Sequence, residues 1–419
     1  MVLKMRKMKD SGIEWIGEIP EGWELTKVKR IFDIGRGRVI SQQELTSVGY
    51  PVYSSQTKNN GCLGYISTYD FDKSQLTWTT DGVNAGTVFL REGKHNCTNV
   101  CGTLAPKNDT NDLRYLKYAL EYIAFYHKRA DINGFKIMNN EMAEIELLLP
   151  PLFEQQNIAN YLDFKCSQTQ SILEQSLFSI EEYKKLKQAV ITQAVTKGVR
   201  GEREMKDSGV EWIGEIPWEW DVTKIGRIGQ TSSGATPLRS KETSFFDDAT
   251  IRWVRTLDLN DGLVYDSSEK ITELALSMSA CSIMPTGTVC VAMYGGAGTI
   301  GKCGLLMTPC ATNQAVCSII CNSNVILPKF LLNQLLALKP YWMKYAVGTR
   351  KDPNISQDIV ARMKVLIPPL SEQKEIVDYL DAKCAEIDGL IAKKEQLVKE
   401  LESYKKSLIY EVVTGKREV

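Results

Sequence analysis

Two long stretches of the chain place apolar residues three or four positions apart, which is the period of an α-helix. Each stretch follows a Pro-Pro-Leu sequence, at residues 150–152 and 368–370, where the prolines can end a strand and open a helix. The spacing puts the apolar side chains on one helix face. They are Ile158, Leu162, Leu173, Leu177, Ile180, Tyr183, Leu186 and Val190 in the first stretch, and Ile376, Leu380, Ile387, Ile391, Val398, Leu401, Tyr404, Leu408 and Val412 in the second.

Each predicted helix covers roughly 40 residues, or about 60 Å at the helical rise. Helices this long without a surrounding domain usually pair, and two similar ones in a single chain predict an antiparallel coiled coil. Lys165 and Lys394 lie close to the apolar faces, so packing of each helix on a globular core stays open as the alternative.

The regions before the two helices predict mixed α/β modules. Apolar and β-branched runs between Gly, Asn, Asp and Ser turns predict strands, and longer apolar segments predict helices near 113–126 and 328–345. The strands are expected at 75–79, 87–90, 251–255 and 288–293. The predicted fold class is therefore α/β, with two modules separated and followed by long helices. The predicted segments are 1–20, 21–150 (first module), 151–200 (central helix), 201–217, 218–368 (second module) and 369–419 (distal helix).

An internal repeat organises the chain. Residues 8–20 read MKDSGIEWIGEIP and residues 205–217 read MKDSGVEWIGEIP, so twelve of thirteen positions agree. Residues 148–166 and 366–384, which enter the two helices, agree at twelve of nineteen positions. The first pair lies 197 residues apart and the second 218, so about 21 additional residues fall inside the second module. The repeated segments form a common frame around two modules that have diverged.

A repeated frame should present the same surface twice, which suggests two copies of one partner about a pseudo-twofold axis. Two unlike modules then bind unlike targets. This combination suits a bipartite, asymmetric DNA site in which each module reads one half and the helices set the spacing.

The composition changes this picture little. Hydrophobic residues make up 43% of the 419 residues and charged residues 24%, as in folded proteins, and the length predicts two or three compact units. The sequence contains no run of about 18 apolar residues and no apolar signal core, so we expect a cytoplasmic protein without a membrane partner. Lys plus Arg and Asp plus Glu both number 51, so DNA binding requires local patches or help from partners.

Three chemical alternatives have weak support. Six of the 11 cysteines lie between Cys281 and Cys321 in strand-like sequence without zinc-knuckle spacing, so we interpret them as core residues and expect no metal. Residues 296–303 resemble a phosphate loop, but the following residues predict a strand instead of a helix, so we favour a glycine turn. Nucleophile-elbow and zinc-protease motifs are missing, and His95 and His127 are the only imidazoles.

The repeated motifs resemble those of type I restriction-modification specificity subunits. The similarity rests on DSG-x-EWIGEIP before each module, PPL-x-EQ-x-x-I-x-x-YLD after it, the helix endings at 194–198 and 412–416, and the segments at 234–237, 297–301 and 312–314. Membership would imply a chain with no cofactor of its own, in complex with double-stranded DNA, two modification subunits that bind S-adenosylmethionine, and restriction subunits that use ATP and Mg²⁺. The similarity to this family is weaker in the first module, since Thr98-Asn99 is followed there by Val100 and not by Gln.

Base reading requires donors and acceptors on protruding loops, with Lys and Arg near phosphates. Each nominated polar residue taken singly is also compatible with a solvated turn. The nominated DNA contacts are Ser55, Gln56, Lys58, Asn59, Asp81 and Asn84 in the first module, and Ser232, Ser233, Thr236, Arg239, Arg255, Tyr294, Asn313, Gln314 and Arg350 in the second. The resemblance further implies partner docking at the helix starts, for which the candidates are Glu154, Gln155, Tyr161, Glu372, Gln373 and Tyr379.

Two other function classes stay open at this point. One is a self-sufficient DNA-binding or scaffold protein that uses its helices only to dimerise. The other is a nucleotide-dependent enzyme built on Gly296 to Lys302. An adenine methyltransferase gene beside this one would favour a non-catalytic specificity subunit over the scaffold, and failure of the chain to bind ATP would remove the nucleotide-dependent enzyme.

Overall fold

The computed structural model describes residues 6–14, 16–132, 134–295, 298–348 and 353–419. These residues form two compact units. Unit 1 comprises Met1–Leu177 together with Glu395–Val419, and unit 2 comprises Phe178–Lys394. Each unit contains one predicted module, one copy of the repeated entry segment and part of each long helix. The boundaries between the units therefore fall inside the predicted central and distal helices.

Unit 1 contains fourteen described strands and three shorter helices, followed by the long helix α4. The strands are β1 Met8–Asp10, β2 Glu18–Pro20, β3 Glu24–Lys27, β4 Phe32–Arg36, β5 Tyr50–Tyr53, β6 Cys62–Ile66, β7 Gln75–Thr79, β8 Asp81–Gly82, β9 Val88–Arg91, β10 Asn96–Cys97, β11 Cys101–Pro106, β12 Arg129–Asp131, β13 Gly134–Lys136 and β14 Glu146–Leu149. The helices are α1 Val28–Ile31, α2 Leu113–His127, α3 Asn139–Glu144 and α4 Leu152–Lys197.

Unit 2 shares with unit 1 the entry hairpin, the strand pair that closes the module and the helix after the last sheet strand, and it has the additional short helices α6, α7 and α9. Its strands are β15 Met205–Asp207, β16 Glu215–Pro217, β17 Asp221–Lys224, β18 Gly229–Ser233, β19 Ile251–Val254, β20 Gly262–Val264, β21 Lys270–Ile271, β22 Ile283–Met284, β23 Val289–Ala292, β24 Cys303–Leu306, β25 Cys310–Thr312, β26 Val316–Cys321, β27 Val347–Gly348, β28 Pro353–Asn354 and β29 Lys364–Ile367. Its helices are α5 Ile225–Ile228, α6 Glu242–Phe246, α7 Glu273–Ser277, α8 Pro328–Leu338, α9 Trp342–Tyr345, α10 Gln357–Arg362 and α11 Leu370–Val413.

The repeated entry segment forms the same hairpin in both units. β1 pairs with β2 in unit 1, and β15 pairs with β16 in unit 2, both antiparallel with equivalent registers. A second strand pair closes each module, because β3 pairs with β14 and β17 pairs with β29. The chain therefore enters and leaves each module at neighbouring strands, just before the long helix begins.

Each module has one larger sheet and one smaller sheet; the larger sheet is antiparallel in unit 1, and in unit 2 it is antiparallel except for the edge strand β20, which pairs with β24 in parallel. The larger sheets have the orders β4-β11-β7-β9 and β18-β26-β23-β24-β20. The smaller sheets contain a parallel pair, β5 with β10 in unit 1 and β19 with β25 in unit 2. Helices α2 and α8 bury leucine and aromatic side chains against the larger sheets, which accounts for the amphipathic pattern in their sequences.

The long helices pack on each other inside each unit. In unit 1, Ile158 and Leu162 of α4 share a core with Leu408 and Val412 of α11. In unit 2, Ile191 and Val195 of α4 share a core with Ile376 and Leu380 of α11. The first part of α4 thus meets the last part of α11 in unit 1, and the last part of α4 meets the first part of α11 in unit 2, where Lys187 pairs with Asp388 and the later Arg200 pairs with the earlier Glu375. The helices are therefore antiparallel in each unit, and they also pack on the module core.

The predicted fold class is confirmed. The structure has two mixed α/β modules and two long helices of 46 and 44 residues, which begin directly after the Pro-Pro pairs. The strand predictions at 75–79 and 251–255 agree with β7 and β19 to within one residue. No helix in the described residues combines the length and apolar character that crossing a membrane requires.

Candidate DNA interface

In unit 2 the nominated polar residues gather where two parallel strands end. Strands β19 and β25 run side by side with Val254 opposite Thr312, so Arg255 and Asn313 leave the sheet at the same edge. The Asn313 amide N donates to the Val254 carbonyl at 3.1 Å, which holds the two loops together. Gln314 follows and is exposed. This edge therefore presents a guanidinium and two amide side chains.

The loop after β18 crosses this edge because of a glycine. A Cβ on Gly234 would lie 1.7 Å from the Thr312 carbonyl oxygen, so only glycine permits the approach. The crossing lets Thr236 donate a hydrogen bond to the Gln314 side-chain oxygen. Ser232 and Ser233 end β18 just before the glycine and reach the same edge.

Two arginines in unit 2 share one carboxylate beside these loops. Arg239 donates to Glu269 at 2.6 Å, and Arg255 donates to the other oxygen of Glu269 at 2.8 Å. Arg255 also donates to Ser268 at 2.9 Å. The edge therefore carries two guanidinium groups, the side chains that suit contact with phosphates or with guanine.

The loop after the central strand of the larger sheet reaches the same edge. Tyr294 follows β23 and is 41% exposed, and the Met293 amide N donates to the Ala315 carbonyl at 2.8 Å. Tyr294 is therefore placed beside the loop that carries Asn313 and Gln314. The nominated Arg350 lies outside the described residues.

Unit 1 repeats this arrangement with different side chains. In the parallel pair β5 and β10, the Thr98 amide N donates to the Tyr53 carbonyl at 2.8 Å, the counterpart of the bond between Asn313 and Val254. A Cβ on Gly37 would lie 2.2 Å from the Cys97 carbonyl oxygen, so Gly37 corresponds to Gly234. Both modules thus bring three loops to one edge of the same fold.

These equivalences correct the alignment of the Thr-Asn sequences in the two modules. The hydrogen bonds make Thr98 the equivalent of Asn313, and Asn99 therefore the equivalent of Gln314. This shifts by one residue the alignment that matches Thr98-Asn99 to Thr312-Asn313. They also identify Arg38, Thr98 and Asn99 as edge residues that sequence reasoning did not nominate. The spacing of 197 residues between Gly37 and Gly234 equals the spacing of the entry segments, a signal that would have found Arg38.

Four first-module candidates lie together on one loop, residues 54–61, which closes on itself. The Ser54 amide N donates to the Gly61 carbonyl at 2.9 Å, and Gln56 donates to the Cys62 carbonyl. Ser55 is half-buried, whereas Lys58 and Asn59 are exposed. The Gln56 amide is thus already used inside the loop, while Lys58 and Asn59 face solvent.

The remaining first-module candidates lie on the turn after β7. Asp81 occupies the place of Tyr294, because the Thr80 amide N donates to Val100 as Met293 donates to Ala315. Asp81 forms an ion pair with Lys136 at 3.3 Å. Hydrogen bonds to Asp131 first, and then to Asp81, raise the pKa of Lys136. Asn84 is half-buried in the same turn, where its backbone carbonyl accepts from Thr87 Oγ1 at 2.8 Å.

The repeated Glu-Gln pairs at the helix starts serve the interior of each unit. Gln155 accepts from the Asp112 amide and donates to the Pro150 carbonyl, and Gln373 makes the same two bonds with Leu327 and Pro368. Both glutamines are at most 2% exposed. The assignment of Gln155 and Gln373 to the partner surface is therefore corrected, because their polar groups are satisfied inside the chain.

Glu154 and Glu372 hold the entry segments onto the helices. Glu372 accepts from Arg203 at 2.6 Å and from the Trp220 indole at 3.1 Å, and it is fully buried, so its assignment to the partner surface is corrected as well. Glu154 makes the equivalent bonds to Arg6 and Trp23, but its side chain stays 24% exposed. We call these two arrangements the clasps.

Exposed apolar side chains on the long helices occur at equivalent positions of the repeat. Tyr161 corresponds to Tyr379, Ile172 to Leu390 and Leu186 to Tyr404, each pair 218 residues apart. Tyr161 is half-buried and the other five are 37–48% exposed. Unit 1 carries Tyr161, Ile172 and Tyr404, and unit 2 carries Tyr379, Leu390 and Leu186. We call these sets the helix patches.

The cysteines of the second module from Cys290 to Cys321 lie in its strands, and residues 298–301 of the glycine loop form a turn, while Gly296 and Ala297 lie outside the described residues. Burial raises the pKa of Cys290 and of Cys317 to about 12, as expected for thiols in an apolar sheet. Within the described ranges, no three His, Cys, Asp or Glu side chains are placed to hold a metal ion. The residues after Gly301 form strand β24, which confirms the predicted strand, so no helix begins there.

Comparisons with known proteins agree with this geometry. The family model described as the type I restriction modification DNA specificity domain matches residues 20–182 and 217–400. A type I restriction enzyme specificity subunit of Methanocaldococcus jannaschii is 26% identical over 99% of this chain and 98% of its own length. One of Mycoplasma pneumoniae is 42% identical over 33% of this chain and 43% of its own length. A chain solved in a structural study of type I system assembly covers 95% of this chain and 99% of that one at a TM-score of 0.72 and 13% identity.

Proposed function

The chain belongs to the family of type I restriction modification DNA specificity domains, and from this membership we propose that each module reads one half of a bipartite, asymmetric DNA target. One observation carries the proposal. Both modules bring three loops to the same edge of the same fold, but the side chains there differ, with Arg255, Asn313 and Gln314 in one module and Ser54, Thr98 and Asn99 in the other. A common scaffold with different donors and acceptors suits two different half-sites.

The proposed contacts divide by chemistry. In unit 2, Arg239 and Arg255 supply the charge that phosphates or guanine require, while Gln314 and Asn313 supply amides that suit adenine. In unit 1, Lys58 supplies a cation, and Asn59 and Asn99 supply amides. Because the net charge of the chain is zero, these local groups carry the attraction to DNA.

The helix patches support a proposal about partners. Two equivalent apolar sets, one in each unit, suit two copies of one partner, which we propose are methyltransferase subunits that bind S-adenosylmethionine. Restriction subunits that use ATP and Mg²⁺ would complete the assembly. In this proposal the long helices set the spacing between half-sites, and the chain acts in the cytoplasm and catalyses no reaction itself.

Co-expression with the neighbouring methyltransferase gene, followed by mapping of methylated adenines in host DNA, tests the proposal. We expect a split motif with a fixed spacer. Arg255→Ala should relax one half and Asn99→Ala the other, by roughly tenfold in stringency per lost contact. Arg252→Ala is the matched control, since Arg252 lies three residues earlier, inside β19, and pairs with Asp266 instead of Glu269.

The two halves of the motif make the test decisive. Equal loss at both halves in either variant would contradict the assignment of one module to one half. A soluble complex that adds no methylation would favour the scaffold alternative instead.

A further inference from the structure

A buried arginine lies directly beneath the 54–61 loop of the first module. Arg91 is 1% exposed, and its guanidinium carbon lies 3.6 Å from the ring centre of Tyr53 and 4.3 Å from that of Phe89. Its Nε donates to Thr77 Oγ1 at 3.1 Å, and its Nη1 donates to the Asn60 carbonyl at 2.7 Å. Arg91 therefore connects strand β7, through Thr77, to the 54–61 loop, through Asn60.

This guanidinium has no counter-charge nearby. Among the described residues, no carboxylate forms an ion pair with Arg91 within 4.0 Å, and its Nη2 is buried without a hydrogen-bond partner. Burial lowers the pKa of Arg91, because the charged form loses water that no carboxylate replaces. An unpaired buried charge is destabilising, so its presence calls for a reason other than stability.

The second module shows that the fold does not need this charge. Arg91 pairs with Gln75 across the sheet, and at the equivalent place the Leu306 amide N donates to the Thr288 carbonyl at 2.9 Å. Leu306 is fully buried in an apolar cluster with Val254 and Cys290, which stand where the first module has Tyr53 and Thr77. The same position thus takes leucine when only packing is required.

The loop is shaped around the arginine. Asn59 and Asn60 adopt positive φ angles of 50° and 52°, which aims the Asn60 carbonyl at Arg91. Gly61 has a φ of +77°, and a Cβ there would lie 2.9 Å from Arg91 Nη2 and 3.1 Å from the Gln56 carbonyl oxygen. Two consecutive left-handed asparagines are costly unless something holds them. Arg91 supplies one such contact.

We propose that Arg91 is a specificity-determining positioning residue of the first module, which holds the 54–61 loop in the shape that reads one half of the DNA target. This inference rests on the proposed function of the chain. Arg91 touches no DNA in this scheme. It acts through Asn60 and Gly61 on Lys58 and Asn59, which face solvent.

Three variants in the full complex test the proposal. Arg91→Lys keeps the charge but cannot bond both Thr77 and Asn60, and Gly61→Ala disturbs the same contact from the loop side. Gln75→Met is the matched control, because Gln75 is buried in the same polar region and bonds His95 at 2.9 Å instead of the loop. Methylated adenines are mapped for each variant, and thermal unfolding is measured in parallel.

We expect Arg91→Lys and Gly61→Ala to raise the fraction of methylated sites that violate one half of the motif by about tenfold, as for the loss of one charged hydrogen bond. The other half, and the Gln75→Met motif, should stay stringent. Unchanged stringency at both halves would overturn the inference, as would equal loss at both halves with a lowered melting temperature. A wild-type complex with no split motif would instead refute the proposed function, and this inference with it.

Discussion

The two clasps are matched in chemistry and differ in burial, so they allow a quantitative test of what holds the frame together. Glu372→Ala removes the acceptor of both Arg203 and the Trp220 indole, and Glu154→Ala removes the acceptor of both Arg6 and the Trp23 indole. The hydrogen bonds broken are the same in number and type, and Glu372→Ala also removes an ion pair with Arg200 at 3.7 Å.

The expected costs differ because of solvent access. The side chains of Glu372 and Arg203 are 0% and 14% exposed, so removing the carboxylate breaks a buried ion pair at about 3 kcal/mol, the lower end of the usual range because Arg203 keeps its ion pair with Glu219 at 3.1 Å. The side chains of Glu154 and Arg6 are 24% and 29% exposed, so water partly replaces the lost bond and the cost falls to about 1–2 kcal/mol. Glu372→Ala should therefore destabilise its unit by roughly twice as much or more.

Hydrogen exchange measured by mass spectrometry provides a local readout. Amides of the β15–β16 hairpin report on the unit 2 clasp, and those of β1–β2 report on the unit 1 clasp. Adding Arg203→Met to Glu372→Ala should restore part of the loss, because the guanidinium that has lost its buried carboxylate is then removed as well. Equal destabilisation by the two single variants, or no recovery in the double variant, would refute the reasoning from burial.

Three further predictions concern the edge loops, the partners and pH. Gly234→Ala should relax the half-site read by unit 2 alone, and Gly37→Ala the other half, which adenine mapping separates; loss of both halves in either variant would contradict it. Tyr379→Arg and Tyr161→Arg should each leave one methyltransferase copy bound, measured by mass photometry against wild type; two copies in both variants would remove the helix patches from the interface. Burial lowers the pKa of His95, so the unfolded chain binds the extra proton first, and unit 1 should lose stability as pH falls below about 6.5. His95→Gln should flatten that slope in urea titrations, and an unchanged slope would assign it to other groups.

The entry segments and the long helices were predictable because their sequences occur twice in the chain. The Pro-Pro pairs and the helical period after them located both long helices, and the repeat located both entry segments. Repetition alone does not separate surface from interior. Gln155, Glu372 and Gln373 occupy repeated positions because each unit needs the same internal bonds. Sequence reasoning interpreted the same repetition as a sign of a partner surface.

The DNA edge was predictable only in part. Arg255, Asn313 and Gln314 follow strands that the pattern located, so their loop positions could be inferred. The sharing of Glu269 by two arginines depends on a contact between residues 14 and 30 positions apart, which no local pattern indicates. Arg91 reads as an ordinary strand residue, since its lack of a counter-charge is visible only in three dimensions.

The composition of the units has a consequence for synthesis of the chain. The core of unit 1 includes Leu408, Val412 and Val413 beside residues from before position 170, whereas unit 2 uses only residues 178–394. A ribosome therefore delivers every part of unit 2 before the last part of unit 1. The first module emerges first and yet closes its core last, the reverse of the usual order in which N-terminal domains fold ahead of later ones. Until then its apolar helix face, including Ile158 and Leu162, stays open to misassembly or to capture by chaperones.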